Sequence, residues 1–205
     1  MFKDFLVHLF PRVTIKKNLK ITYTFCLGGL AFVSFLMLAV SGCLLLIYYV
    51  PSPEEAYNSI IFLEENVRGG AWLRNLHRLS CHAFLVLIFL HILRVILTGA
   101  FIKRSYNWVI GMLLLALSIF SGYTGYLLPM DQLAFWATQT GTELLKAMPF
   151  GEHIYNLLAP DGTGGRLTLI RFYALHVFIL PSLILGLSFI HFFKVRRDKG
   201  VLPYI

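Results

Sequence analysis

The stretch His77-Arg-Leu-Ser-Cys-His-Ala-Phe-Leu-Val-Leu-Ile-Phe-Leu-His91 sets three histidines into a run otherwise suited to hydrocarbon. Ionisable side chains at membrane depth are costly and mark functional sites. Helical spacing separates the three. At about 100° per residue, the fourteen-residue step brings His91 back to within roughly 40° of His77. His82, five residues from His77 and nine from His91, points about 140° and about 180° away from them. At about 1.5 Å of rise per residue, His77 and His91 share one face at depths roughly 21 Å apart.

This run lies in an apolar segment covering about residues 72–102, and three others resemble it: about 21–50, 108–130 and 169–193. Each is long enough to cross about 30 Å of hydrocarbon. An apolar content of 58% and a mean hydropathy of +0.73 exceed those of an ordinary soluble domain. The expected fold is an all-α membrane protein with four transmembrane helices in a bundle over residues 21–205. An N-terminal amphipathic surface segment, 1–20, precedes it: Phe2, Phe5, Leu6, Leu9 and Phe10 fall on one helical face that Pro11 ends. A disordered tail is the alternative for that segment. Met1–Phe10 lacks the pattern of a cleaved signal peptide.

The net charge of +8 raises nucleic acid as a partner, and its distribution argues against one. Lys3, Arg12, Lys16, Lys17 and Lys20 precede the first span, Lys103 and Arg104 follow the second, and Lys194, Arg196, Arg197 and Lys199 follow the fourth. The other two connections carry Glu54, Glu55, Glu64, Glu65, Asp131, Glu143, Glu152 and Asp161. The positive-inside rule therefore places both termini in the cytoplasm of an integral, multi-pass membrane protein. The long connection, about 131–168, faces outside, and a loop of that length is functional or carries short helices.

The fourth span repeats the histidine interval. His176 and His191 are fifteen residues apart, within roughly 60° of one face. The second and fourth spans run parallel, so His77 meets His176 near the outer side and His91 meets His191 deeper. Glycines echo the spacing: Gly28 and Gly42 on the first span, Gly111 and Gly125 on the third, each pair fourteen residues apart. Glycine admits a flat, bulky group against the backbone, although small residues also serve plain helix packing in membranes. Two levels, each with two imidazoles and two gaps, suit two stacked b-type haems with bis-histidine ligation at the iron. Zinc would need further ligands at each level, and none stands in register. Arg74 and Arg78 flank the outer level and Arg94 the inner, where propionates need cations; snorkelling to headgroups is the competing role. Cys26, Cys43 and Cys81 all fall within spans, with no Cys-x-x-Cys or Cys-x-x-Cys-His motif among them.

Five motifs then carry a resemblance. They are Phe25-Cys-Leu-Gly-Gly29, Trp72-Leu-Arg-Asn-Leu-His-Arg78, His91-Ile-Leu-Arg-Val-Ile-Leu-Thr-Gly99, Gly122-Tyr-Thr-Gly-Tyr-Leu-Leu-Pro-Met-Asp-Gln132 and Arg171-Phe-Tyr-Ala-Leu-His-Val-Phe-Ile-Leu-Pro181. From about Ile21 to Gly200 the chain resembles the N-terminal, four-helix half of the cytochrome b family, closest to the cytochrome b6 type of b6f-like complexes. The fifteen-residue interval on the fourth span favours that type over the mitochondrial one. The resemblance implies that His77 and His176 hold a low-potential outer haem and His91 and His191 a high-potential inner one. It makes Arg74 and Arg94 propionate partners, and Cys26 the thioether anchor of a further haem beside the inner one. Arg196 and Arg197 would meet that haem's propionates or an anionic quinone species, or form a solvated basic end. Tyr126, Pro129, Met130, Asp131 and Phe135 fall in the quinol-oxidation region, with Met130 standing where the family has Trp.

The function so implied is that of a cytochrome b subunit in a quinol oxidoreductase complex. It carries electrons from an outer quinol-oxidation site to an inner quinone-reduction site, coupled to proton translocation. The expected partners are a three-helix chain bearing the Pro-Glu-Trp-Tyr motif absent here, a Rieske iron–sulfur protein and a c-type cytochrome, in a homodimeric complex. The short N-terminal arm favours a bacterial cytoplasmic membrane. Two alternatives stay open: a diheme anchor joining the quinone pool to a non-Rieske dehydrogenase or multihaem partner, and a haem-free helical transporter or scaffold.

Overall fold

A computed structural model of the chain describes residues 25–102 and 104–197. The expected surface segment at 1–20 and Lys103 lie outside the described residues. The described residues are helical, joined by turns. In chain order the helices are α1 (Leu27–Leu45), α2 (Ala56–Asn66), α3 (Gly70–Leu97), α4 (Ser105–Leu127), α5 (Gln132–Lys146), α6 (Gly151–Leu158), α7 (Arg166–Ala174) and α8 (Leu180–Arg197). A π-helical turn, Leu175–Ile179, joins α7 to α8 without a break. Four helical stretches are long and apolar enough to cross a membrane: α1, α3, α4 and the continuous run Arg166–Arg197.

Large apolar side chains point outward along these helical stretches, among them Val40 at 63%, Phe89 at 66% and Phe178 at 72% exposure. So much exposed apolar surface is unfit for water and suits lipid or partner helices. The interior is correspondingly sparse and built from small hydroxyls and a few rings, with Ser41, Ser118, Thr124 and Ser188 all buried.

The packing forms two compact units. One comprises 37–80 with 119–181; the other comprises 81–118 with the described residues up to 36 and from 182 onward. Each unit takes one segment from each of the four long helical stretches. In the first, the Tyr49 hydroxyl donates to the Leu128 carbonyl at 2.7 Å and its ring stacks on Tyr173 at 5.4 Å. In the second, Phe32 packs edge-on against Phe192 at 5.1 Å and Phe35 lies 5.8 Å from Phe84.

The long connection after α4 is mostly helix. Asp131 caps α5 by accepting from the Ala134 N–H at 2.8 Å, as its position before an apolar helical run suggests. Asp161 does the same for α7, which begins with no capping side chain of its own at Gly165. Its carboxylate accepts from the Leu167 N–H at 2.7 Å, the Thr168 N–H at 3.0 Å and the Thr168 hydroxyl at 2.6 Å. Partial desolvation pushes this carboxyl up, but the hydrogen bonds from Thr168 and the two N–H groups outweigh it and hold it below its usual range.

Candidate functional site

Each unit contains one histidine pair. In the first, the rings of His77 and His176 have centroids 6.3 Å apart at an interplanar angle of 75°. In the second, His91 and His191 stand 6.5 Å apart at 77°. A metal–imidazole bond is about 2 Å and a ring nitrogen lies roughly 1 Å from its ring centre. Two imidazoles on one ion therefore have centroids about 6–6.5 Å apart. Both pairs meet that spacing. Among the described residues no cluster of three or more His, Cys, Asp or Glu is placed to hold a metal. Two facing imidazoles with no further protein donors would suit an iron whose other ligands come from a porphyrin, so the donor set fits haem.

The four glycines pair one to one with the four histidines. A side-chain carbon at Gly28 would lie 3.1 Å from His91 Cε1, one at Gly42 3.3 Å from His77 Cε1, and one at Gly111 3.5 Å from His191 Cε1. At Gly125 the added carbon would run into the His176 ring. Spacing alone assigned these gaps to the flat group itself; the nearest atoms are the imidazole rings, seated against the bare backbone. Glycine here lets a helix accept its neighbour's histidine at close range.

Hydroxyls and carbonyls hold the first pair. Ser41 Oγ lies 2.9 Å from His77 Nδ1, and the Ser121 carbonyl lies 2.9 Å from His176 Nδ1, with Thr124 Oγ1 at 3.3 Å. In the second pair the Asn107 backbone faces the His191 ring, whose buried Nδ1 makes no close hydrogen bond among the described residues. His82 is exposed and belongs to neither pair.

The second unit also encloses a cavity of ≈ 350 Å³ whose walls include Cys26, His91, His191, Arg94, Arg104 and Asn107. Gly28, Gly111 and the rings of Phe32, Phe35 and Phe84 complete its apolar sides. A second, more apolar cleft adjoins Leu27 and Arg94 and is lined by Phe25, Leu90, Leu93, Leu97 and Thr98. Cys26 and its neighbour Phe25 hold left-handed backbone, with φ of 51° and 50°. Two consecutive non-glycine residues in that region are unusual and recur at functional sites.

The arginines separate. Arg94 lines the second unit's cavity. Arg74 is paired with Glu64 at 2.5 Å in the first unit. Arg78, one residue past His77 and therefore turned about 100° from it, is exposed. Arg196 is exposed near the end of α8 and does not line the cavity. Tyr126, Pro129, Met130 and Asp131 form the end of α4 and the turn into α5, where Met130 has a left-handed φ of 52°. Tyr126 is 51% exposed, and Phe135 is half-buried with its ring beside Gly164. Sequence reasoning missed Ser41, Ser121, Thr124, Asn107 and the place of Arg104 in the cavity wall.

Comparison with known proteins follows the same line. The profile of the family described as Cytochrome b/b6/petB matches residues 12–199. The chain is 40% identical over 196 residues to the cytochrome b6 of Heliobacterium modesticaldum, covering 95% of this chain and 89% of that one. It is 38% identical over 201 residues to the menaquinol:cytochrome c reductase cytochrome b subunit of Geobacillus thermodenitrificans, covering 97% and 90%. Among solved structures, a chain of a hyperthermophilic respiratory Complex III matches with a TM-score of 0.83 at 27% identity. That match takes in 98% of this chain and 53% of the other, so this chain spans about half its length. With four apolar helices, two histidine pairs and relatives alike over nearly its whole length, the chain belongs to the cytochrome b/b6 family.

Proposed function

We propose that this chain is the haem-bearing cytochrome b subunit of a quinol:cytochrome c oxidoreductase-type complex, holding two b-type haems. The observation that carries the proposal is the spacing of two histidine pairs, 6.3 and 6.5 Å, each ring seated against its own glycine. Haem, when bound, supplies reversible one-electron chemistry at iron. The chain's part is to fix ligation, burial and hydrogen bonding around it. His77 and His176 would hold one iron and His91 and His191 the other. Arg94 would meet propionates at the second site, joined by Arg104, since both line that cavity. At the first site Arg74 already faces Glu64, so it reaches a propionate only by sharing or leaving that partner.

A further haem bound through Cys26 is part of this proposal. What supports it is position: Cys26 lines the cavity of His91 and His191 on strained backbone. Cys26 would hold that haem through a thioether at its sulfur. In denaturing gels, peroxidase staining should stay with the chain and vanish in Cys26→Ala; staining that survives the substitution would place the bond elsewhere.

The quinol-oxidation region is assigned to the turn from Tyr126 to Phe135, and partners that complete it are a Rieske protein and a three-helix chain. The relatives named as reductase subunits support this assembly, and the basic stretches near residues 103–104 and 194–197 support an outer position for the His77–His176 pair. The test is co-purification: a Rieske protein and a Pro-Glu-Trp-Tyr chain should accompany this one. Their replacement by a multihaem dehydrogenase would favour the diheme-anchor alternative.

A further inference from the structure

The two histidine pairs differ in what holds their rings, and the difference bears on potential. We propose that Ser41 is a positioning residue that fixes His77 as a hydrogen-bond donor and thereby lowers the reduction potential of the haem held by His77 and His176. This rests on the haem ligation proposed above.

A serine hydroxyl has one proton to donate. Ser41 is 1% exposed, and its Oγ lies 2.6 Å from the Met37 carbonyl one turn earlier on α1. A carbonyl only accepts, so the proton of Ser41 lies there. Toward His77 Nδ1, at 2.9 Å, the serine presents a lone pair, and the bond must run from the imidazole N–H to Ser41. The tautomer follows: Nδ1 carries hydrogen and Nε2 keeps its lone pair for a metal.

His176 is fixed the same way. Its Nδ1 lies 2.9 Å from the Ser121 carbonyl, which again only accepts. Thr124, fully buried, donates to that carbonyl at 3.0 Å and braces it from the other side. Both imidazoles of this pair therefore donate through the far nitrogen. At the His91–His191 pair the Asn107 backbone faces the His191 ring, and among the described residues no hydroxyl is bonded to it.

An imidazole that donates from one nitrogen is more basic at the other. A more basic ligand favours ferric over ferrous iron, and hydrogen bonding around the ligands is one of the protein's levers on potential. Burial strengthens the effect, because the bond is not in competition with water. Other hydroxyls back-bond to their own helix in the same manner, Ser118 to the Leu114 carbonyl and Thr142 to that of Thr138, yet touch no histidine. Ser41 and Thr124 are the ones that also reach a ring.

The test is a redox titration of the intact complex in membranes, with the two b-type haems resolved by spectrum and assigned by loss in His176→Leu. In Ser41→Ala both haems should remain. At a fixed ambient potential the ferrous-to-ferric ratio of the His77–His176 haem should rise about threefold, a shift of roughly 30 mV upward for one electron, with the other haem unmoved. The low-spin ferric resonance of the same haem should shift as the ring loses its Ser41 acceptor and keeps only the Leu38 backbone beside it. Two retained haems with unchanged potentials would overturn the proposal, and so would an equal shift at both. Should Ser41→Ala lose that haem, Ser41→Cys keeps a side chain of similar size with a poor acceptor. A raised potential there supports the proposal and a wild-type potential overturns it. A wild-type complex without b-type absorbance would instead defeat the underlying haem assignment.

Discussion

At the scale of the residue, the four glycine–histidine contacts are graded, and the gradation is testable. Gly125 leaves no room for a methyl group before the His176 ring, whereas at Gly111 the added carbon would sit at an ordinary 3.5 Å from His191. Gly125→Ala should therefore cost about 1–3 kcal/mol of overpacking and reduce haem at the His77–His176 pair. Gly111→Ala should leave both haems in place. Haem content and thermal unfolding of the two variants would show the contrast. His82→Leu should keep both haems, since that side chain is exposed and serves neither pair. The histidines were legible from spacing, because a helix turns residue number into direction. The ring anchors were not, although a trace of them was there. Ser41 and Thr124 each directly precede the glycine of the first pair, while apolar Leu27 and Ile110 precede the glycines of the second. A hydroxyl next to a glycine is too common to interpret until a structure shows a ring beside it.

At the scale of the element, the interval of fifteen residues between His176 and His191 looked slightly out of phase with the fourteen on α3. The π-helical turn Leu175–Ile179 absorbs the difference. One wider turn takes up about one residue, so the interval advances like about fourteen α-helical residues. Deleting Phe178, an exposed side chain in that turn, should convert it to regular α-helix and retain both haems. Inserting an alanine after Gly186 should instead rotate His191 by about 100° and empty its pair. Spectra of the two variants decide whether phase is what the turn protects. The outer connection gives a second case. Asp161 caps α7 through three hydrogen bonds, and the depression of its carboxyl below the usual range carries a sign. The stabilisation is present above the ordinary carboxylate range and is lost as pH falls through the depressed value. Protection of the first-turn amides of α7, normalised to intrinsic exchange, should fall at low pH, and Asp161→Ala should show the same loss at neutral pH. Periodicity exposed the spans but not these short devices, because a π turn and a cap reached from four residues upstream leave no repeat.

At the scale of the whole molecule, apolar runs revealed four membrane-length helices, and the motifs on them revealed the family. Helices α5 and α6 within the long connection were expected only in general terms, since at 15 and 8 residues they are too short to form the membrane-length apolar runs that mark the spans. The chain holds two histidine pairs, one in each compact unit, and spans about half the solved chain it matches. It should therefore bind haem by itself yet turn over no quinol, because the remainder of the oxidation site is proposed to come from partners. The most direct measurement is a pyridine haemochrome count on the purified chain, with extractable and covalent fractions separated. Two extractable b-type haems per chain are expected, falling by one in His77→Leu and by one in His91→Leu. A chain without b-type absorbance, or a count that neither substitution changes, would contradict the account.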